Sequence, residues 1–458
     1  MIRIDVLPDD VLLDIFDFCA HTAPSLGRKT EMRTWQLLVK VCRRWRSLIF
    51  GSPRRLHLRL FCTPRTPTRD TLDVWPPLPL YIWGNNVLMR SGLDNIVIAL
   101  GQSNRVFEVI LEDLGCWQLE NILAVMQVPF PELRELHLFS NGESPPVVPD
   151  SFLGGSAPCL RSFKLSGISF PGLPKLLLSA THLVDLYLLR IPLSGYISPE
   201  AMADLLSVLS SLQTLFLALR SPQSRPNWES RRPLPLKRSV SPALNGFCFD
   251  SAIEYLEDLV TYIDTPQLSY LNITFDPIDF DGPRLAQIIS RTPILAGCDA
   301  HVEFDQLTAR VRLPSPLKDS VIGISFGPPN CRLSSVAQAC NSGFPPLSMI
   351  EDLYIVDRYS QERSIHWKKG AIEDVSWLEL LLPFPAVKNL YLSKDFMPGI
   401  AASLQEVVGT EVLPNLQNIF VEELEPSGPF QESIGQFVAA RELSGHPITI
   451  SVWDGLGR

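Results

Sequence analysis

One serine of this chain lies in a pattern that serine hydrolases use to expose a nucleophile. Residues 323–327 read GISFG, which fits G-x-S-x-G with Ser325 at its centre. His366 and His446 follow in the sequence, and carboxylates such as Asp352 are available. On order alone, a nucleophile, an orienting acid and a base can therefore be assigned.

The elements around that serine do not suit this chemistry. A nucleophile elbow requires a helix directly after the serine, whereas residues 327–330 read GPPN and predict a turn. Ser325 also coincides with one of the strand-like repeats described below. The sequence therefore disfavours a serine hydrolase and predicts no catalytic residue.

The cysteines and histidines give no sign of a bound metal. The nine cysteines are scattered singly, with no Cys-x-x-Cys and no histidine pair at zinc-ligand spacing. We expect the cysteines to be small core residues in a reducing compartment. Because no phosphate-cradling glycine loop or kinase signature is present either, we expect a non-enzymatic protein with no metal and no cofactor.

The composition predicts a large core and an acidic body. Of the 458 residues, 46% are hydrophobic and 19% are charged. The net charge is -9; residues 1–60 hold eleven Lys/Arg against six Asp/Glu, a balance of +5, which leaves -14 for the remainder. Such a body is a poor nucleic-acid binder. Without a long apolar run or a signal peptide, we expect no membrane span and a cytoplasmic and/or nuclear location.

Two amphipathic helices are predicted in the first fifty residues. Pro8 suits the first turn of a helix, and Asp9 and Asp10 suit the positive end of its dipole. Apolar side chains then recur on one face over residues 11–19, and again over 38–49 after a break. Two such helices are too small to form a stable core alone, so they need a surface to pack on.

The stretch LPDDVLLDIF at 7–16, followed by LVKVCRRWR at 38–46, resembles the F-box motif. Members of that family use the module to dock a Skp-type adaptor, which joins them to a cullin ubiquitin ligase. The resemblance implies that the adaptor-binding surface, or its immediate support, consists of Leu7, Pro8, Ile15, Phe16, Val41, Cys42 and Trp45. The segment 20–31 is longer than in the common form. A generic helical hairpin packed on the next domain is the alternative.

The rest of the chain repeats a six-residue pattern, apolar-x-x-apolar-x-apolar. Ten instances begin at Val106, Leu133, Leu160, Leu183, Leu212, Leu244, Leu268, Ile350, Val387 and Leu416. Two weaker matches begin at Asp299 and Val321, which gives twelve units spaced by about 28 residues. Helical stretches between them are predicted at 117–128, 200–209, 252–263, 374–382 and 400–408. A strand and a helix in each unit indicate stacked parallel strands.

These units resemble leucine-rich repeats, and the whole chain resembles the divergent F-box proteins with leucine-rich repeats that are abundant in mushroom-forming fungi. The resemblance implies an α/β fold: an irregular leucine-rich-repeat solenoid, with parallel strands inside and helices outside, preceded by a small all-α F-box module. The expected domains are an F-box helical module at 1–60, a connecting and N-terminal capping segment at 61–105, the solenoid at 106–425 and a C-terminal cap at 426–458. A Pro- and Arg-rich stretch at 221–238 predicts a surface loop.

The third and fifth positions of the pattern should project from the sheet, because its three apolar positions point inward. Aromatic residues are concentrated there, and large exposed rings are typical of binding hot spots. We therefore predict that a protein substrate binds to Tyr187, Phe216, Tyr270, Tyr354, Tyr391 and Phe420. The alternative is that insertions or the C-terminal tail fold over these rings and bury them.

Taken with the F-box resemblance, this face predicts the substrate-recognition adaptor subunit of a Skp/cullin/F-box ubiquitin ligase. Its expected partners are a Skp-type adaptor, a cullin ligase reached through that adaptor, and an unknown protein substrate. Neither nucleic acid nor a membrane is expected as a partner. The alternative function is a leucine-rich-repeat interaction scaffold with no ubiquitin-ligase role.

Overall fold

The computed structural model describes residues 7–21, 35–85, 90–142, 146–220, 238–275, 299–304, 309–314, 321–326, 336–337, 340–341, 347–357, 377–394, 396–406, 412–422 and 429–453. His366, most of the inter-helix segment 20–31 and nearly all of the predicted loop at 221–238 lie outside these ranges. The chain divides into two compact units, Met1–Tyr196 and Ile197–Arg458, and each contains helices and a mostly parallel sheet.

The first unit alternates helices with strands. Its helices are α1 Asp9–His21, α2 Arg43–Gly51, α3 Thr68–Val74, α4 Arg90–Leu100, α5 Cys116–Val125 and α6 Leu173–Leu177. Its strands are β1 Leu60–Cys62, β2 Leu80–Asn85, β3 Val106–Leu114, β4 Glu135–Ser140, β5 Ser162–Ser166 and β6 Asp185–Ile191. The six strands pair in chain order and all in parallel. β1 and β2 precede the first predicted repeat, so the sheet already begins within and just before the segment 61–105, which was expected to connect and cap the domains.

The second unit continues the alternation with a longer set of strands. Its helices are α7 Pro199–Val208, α8 Ile253–Tyr262, α9 Trp377–Leu381, α10 Met397–Glu406 and α11 Pro429–Leu443. Its strands are β7 Thr214–Leu219, β8 Ser239–Val240, β9 Gly246–Asp250, β10 Ile263–Asp264, β11 Tyr270–Phe275, β12 Asp299–Phe304, β13 Ala309–Pro314, β14 Val321–Phe326, β15 Asp352–Asp357, β16 Asn389–Leu392, β17 Asn418–Val421 and β18 Thr449–Val452. β8 and β10 pair separately, and the others follow the order β7-β9-β11-β14-β13-β12-β15-β16-β17-β18.

The middle of this sheet departs from the predicted succession of parallel strands. β13 is antiparallel to both of its neighbours, so it separates β12 from β14, which the sequence predicted as successive repeats. The intervals 305–308 and 315–320 are too short for the crossover helix that parallel strands require, whereas short connections suit antiparallel strands. The chain then places β14 beside β11 and β12 beside β15. The order predicted for the two weak repeats is therefore wrong.

Alternation along the strands separates a core face from an open face. On β16, Leu390 and Leu392 are fully buried, while Asn389 and Tyr391 between them are half-buried. The helices supply the other wall of this core; for example, Ile400 of α10 is fully buried. The predicted inward apolar positions are confirmed on this strand. Among the described helices, none combines the length and hydropathy that crossing a bilayer requires.

The cysteines do not all lie in the core. Cys62 and Cys340 are buried, and burial raises their pKa to about 11 and about 12, respectively. Cys19, Cys42 and Cys159 are exposed, so the predicted core placement is wrong for these three. Cys42 has a local role instead, because it precedes the first turn of α2 and caps it.

Candidate functional site

The two N-terminal helices are fastened by an aromatic contact and an ion pair. The ring centroids of Phe16 and Trp45 are 4.8 Å apart, and Phe16 is buried. Nη2 of Arg44 lies 2.6 Å from Oδ1 of Asp9 and also donates to the backbone oxygen of Leu7 at 2.6 Å. The start of α1 is therefore held against the first turn of α2.

The second predicted helix is broken in its first part. Residues 35–38 are helical, 39–41 form a turn, and α2 starts at Arg43. Cys42 is extended at φ -156° and ψ 172°, and its Sγ accepts from the backbone N of Trp45 at 3.5 Å. The side chain of Val39 is buried, whereas that of Val41 is 60% exposed. The continuous stripe predicted through Val41 and Cys42 is therefore wrong.

The predicted adaptor-binding residues differ in their exposure. Phe16 is buried and can only support a surface. The half-buried members of the set are Leu7, Ile15 and Trp45, and its exposed members are Pro8, Val41 and Cys42. Their role in binding an adaptor stays a prediction.

Two exposed apolar residues of α1, Val11 and Phe18, were not among the predicted adaptor-binding residues. Val11 is 40% exposed and Phe18 is 68% exposed, and with Ile15 they stand at helical positions i, i+4 and i+7. Leu12 and Phe16 occupy the opposite, buried face. The signal was present in the sequence, because α1 has more apolar residues than one face can bury. We name Val11, Ile15 and Phe18 the α1 stripe.

Two of the predicted substrate-binding rings, Tyr187 and Phe216, are half-buried on their strands. In the first unit, Tyr187 is half-buried, and Nζ of Lys164 lies 4.3 Å from its ring centroid. In the second unit, Phe216 is half-buried and pairs with Cys248 across β7 and β9. Neither ring joins the ladder of rings described below.

Tyr270 lies in a different row from Phe216. It is 39% exposed and pairs with Gly246, whereas Phe216 pairs with Cys248. Burial is the largest influence on its hydroxyl and raises the pKa of Tyr270. The structure therefore does not bring these two predicted residues together.

The other three predicted rings stack on one another. Tyr354, Tyr391 and Phe420 are in register on β15, β16 and β17. The centroid distance is 4.1 Å between Tyr354 and Tyr391 and 4.5 Å between Tyr391 and Phe420, and both ring pairs lie within 9° of parallel. All three are half-buried on the open face of the sheet. Parallel strands place their side chains at a regular interval, which allows this stack.

A fourth ring of the stack, His301, was not predicted. It pairs with Tyr354 across β12 and β15, with centroids 4.3 Å apart and planes 5° from parallel. The sequence pattern was aligned two residues out of register here, because Ala300, not Val302, pairs with Leu353. In the correct register, His301 occupies the fifth position. We name His301, Tyr354, Tyr391 and Phe420 the aromatic ladder.

The C-terminal segment reaches the aromatic ladder through Trp453. Its ring lies edge-on to Tyr354 and Tyr391, with centroid distances of 6.1 and 5.5 Å. The backbone N of Trp453 donates to the oxygen of Val421 at 3.0 Å, and its Nε1 donates to the oxygen of Leu392 at 3.5 Å. The predicted alternative, a tail over the rings, therefore holds in part. The ladder nevertheless remains half-buried, not buried.

Charged groups surround the His301 end of the ladder. Burial lowers the pKa of His301, an effect that Glu303 and Asp299 oppose and Arg312 reinforces. Burial also raises the pKa of Tyr354, with smaller contributions from Tyr391, Asp352 and Asp299. Glu303 is itself nearly buried, and Nη1 of Arg312 lies 2.9 Å from its Oε1.

The hydrolase pattern falls on a strand. Ser325 is 3% exposed within β14, and its Oγ accepts from Nε of Arg310 at 2.9 Å. His446 is exposed, and its Nδ1 lies 3.1 Å from the backbone oxygen of Ser444. Within the described ranges, no three His, Cys, Asp or Glu side chains are grouped as a metal site requires.

Comparison with known proteins leaves the family of the chain open. No family model matches it, and no curated protein matches it. Among solved structures, it is similar to a chain of the yeast structure titled "Crystal structure of Rad7 and Elc1 complex in yeast", at 15% identity and a TM-score of 0.33, over 90% of this chain and 88% of that chain. At this TM-score, the similarity defines neither the family nor the partners of the chain.

Proposed function

We propose that this chain is the substrate-recognition adaptor of a Skp/cullin/F-box ubiquitin ligase, acting in the cytoplasm or nucleus without catalysing a reaction itself. The N-terminal helices bind a Skp-type adaptor, and the open face of the second unit binds a protein substrate. The aromatic ladder carries the proposal, because four stacked rings on a half-open sheet face are a surface suited to a protein partner.

The α1 stripe supports the adaptor end of the proposal. Val11, Ile15 and Phe18 stand at the spacing with which an amphipathic helix fills an apolar groove. The Arg44 to Asp9 ion pair and the Phe16 to Trp45 contact fix the orientation of α1, so the stripe is presented by a preformed helix. A preformed helix loses less conformational entropy when it binds.

The aromatic ladder supports the substrate end. Rings that are already stacked have few rotamers left to lose, and each can still bury its exposed edge under a partner. Trp453 adds a fifth ring, edge-on to Tyr354 and Tyr391, so the aromatic surface extends to the C-terminal segment. Aromatic residues are enriched in protein interfaces.

Proximity labelling in the native cell tests both ends at once. A labelling enzyme is fused to the wild-type chain, to Phe18→Asp and to the double variant Tyr354→Ala/Tyr391→Ala. Phe18 is largely exposed, so the charge blocks docking at little cost to folding. The wild type is expected to label a Skp-type adaptor, a cullin and at least one further protein whose labelling depends on the ladder.

The two variants are expected to fail separately. Phe18→Asp loses the adaptor and cullin but keeps the ladder-dependent protein, and the double Tyr variant does the reverse. Labelling of partners without any Skp-type adaptor would identify an interaction scaffold with no ligase role and would overturn the adaptor assignment. Wild-type labelling by the double Tyr variant would overturn the substrate surface.

A further inference from the structure

A strip of polar side chains runs beside the aromatic ladder on the same face. Asp299, Asp352, Asn389, Asn418 and Thr449 occupy in-register positions on β12, β15, β16, β17 and β18. At the usual spacing between strands, the five positions span roughly 19 Å, the length of about six extended residues. We name these five residues the polar strip.

The side-chain hydrogen bonds of the polar strip all run in one direction, with each donor on the strand nearer β18 and its acceptor on the neighbouring strand. Oγ1 of Thr449 donates to Asn418 at 2.6 Å, Nδ2 of Asn418 donates to Asn389 at 2.8 Å, and Nδ2 of Asn389 donates to Asp352 at 2.6 Å. Each amide nitrogen carries two hydrogens and uses one in this chain. Each of the two asparagines can therefore donate its other N–H to a carbonyl oxygen of a bound peptide.

The strip ends in two neighbouring carboxylates. Asp299 and Asp352 are paired in register, and both are half-buried. No cation holds either of them in the part of the chain that the structure describes. The nearby arginines are engaged elsewhere: Arg312 pairs with Glu303, and Arg310 donates to Ser325. This end of the face is therefore complementary to a positive side chain.

We propose that the polar strip and the aromatic ladder together bind an extended basic peptide segment of the substrate. Its backbone carbonyls accept from Asn389 and Asn418, an arginine or lysine pairs with Asp299 and Asp352, and the stem of that residue lies along the ring edges of Tyr354. The inference rests on the proposed function, because it names the substrate class of the same face.

Binding of labelled peptides to the full chain tests this. Fluorescein-labelled peptides of about nine residues, long enough to cover the strip, carry arginine, glutamine or glutamate at alternate positions, with serine between. Fluorescence anisotropy at low salt measures each dissociation constant. The arginine peptide is expected to bind about tenfold more tightly than the glutamine peptide, and the glutamate peptide more weakly than both.

Asp299→Asn/Asp352→Asn is the decisive variant. Asparagine at 352 still accepts from Asn389 through its carbonyl oxygen, so the hydrogen-bonded strip persists while its charge is lost. The arginine peptide should bind about tenfold more weakly, and the glutamine peptide should be unaffected. Asp204→Asn is the matched control, since it makes the same change at an exposed position of α7 and should alter neither affinity.

The outcomes separate this inference from the proposed function. Equal binding of the arginine and glutamine peptides, or an equal effect of Asp204→Asn, overturns the basic-peptide assignment. If ladder-dependent labelling in cells persists in that case, the proposed function stands and its substrate is of another class. If the wild type labels no protein in a ladder-dependent way, the proposed function is contradicted, whatever the peptide affinities are.

Discussion

Replacement of Tyr391 tests whether the aromatic ladder is a physical unit. Tyr391 has three ring neighbours, because it stacks on Tyr354 and Phe420 and meets the edge of Trp453. Tyr391→Ala removes all three ring contacts, whereas Tyr391→Phe removes only the hydroxyl. The two variants therefore separate the contribution of the ring from that of the hydroxyl.

The expected magnitude follows from the number of contacts. An aromatic pair contributes about 0.5 to 1.5 kcal/mol beyond the area it buries. Because the ladder is half-buried, we take the lower part of that range for each of the three contacts of Tyr391. Tyr391→Ala should therefore lower the free energy of unfolding by about 2 kcal/mol, and Tyr391→Phe by less than about 0.5 kcal/mol.

Urea unfolding followed by tryptophan fluorescence measures this difference, since Trp453 lies against the ladder. A stability unchanged by Tyr391→Ala would refute the reasoning, because the three contacts would then contribute nothing. Equal losses for the alanine and phenylalanine variants would refute it too, since the hydroxyl rather than the ring would be responsible.

Three further changes probe the ladder, the polar strip and the N-terminal helices. Burial lowers the pKa of His301 below its usual value of about 6.5, so the unfolded chain takes up a proton before the folded chain does as pH falls. The free energy of unfolding should therefore decrease below about pH 6.5. His301→Phe keeps a ring in the stack and should flatten this decrease, measured by urea titrations at a series of pH values. Asn389→Ala removes two hydrogen bonds of the polar strip and should lower the free energy of unfolding by about 1 to 2 kcal/mol in the same assay. The control Asn415→Ala removes one exposed hydrogen bond and should lower it by about half as much or less. Arg44→Ala removes the ion pair with Asp9 and the hydrogen bond to Leu7 and should speed hydrogen exchange of the first turn of α1, and an unchanged rate would show that those contacts do not hold α1.

Much of the secondary structure could be predicted from the sequence. Buried apolar residues separated by one outward position define strands clearly, as at Leu390 and Leu392. The start of a helix could also be predicted from its capping residues. Ser198 precedes Pro199 in the sequence, and its hydroxyl accepts a hydrogen bond from the backbone N of Ala201 at the start of α7. Local chemistry of this kind does not depend on distant parts of the chain.

The order of β12, β13 and β14 could not be predicted in the same way. Ala300 is fully buried and paired with Leu353, but alanine is too small to stand out as a repeat anchor. The pattern was therefore matched to Asp299 and Val302, two residues out of register. β12 pairs antiparallel with β13, the next strand along the chain, and this pairing separates β12 from β14.

The candidate site was predicted in part for a related reason. Tyr354, Tyr391 and Phe420 follow strong anchors, so their outward position was correct. His301 was not predicted because the register of its strand was wrong. Trp453 was not predicted because it follows β18, outside the repeats that the sequence pattern defines. Of the α1 stripe, Ile15 was predicted, whereas Val11 and Phe18 were not, because apolar residues of a helix are assigned to its core face by default.

The most direct test of the central claim is a calorimetric titration of a purified Skp-type adaptor with the full chain. The proposal predicts a one-to-one complex for the wild type, the same affinity for Tyr391→Ala, and binding at least about tenfold weaker for Phe18→Asp. No measurable complex with the wild type, or equal affinities for the wild type and Phe18→Asp, would contradict it.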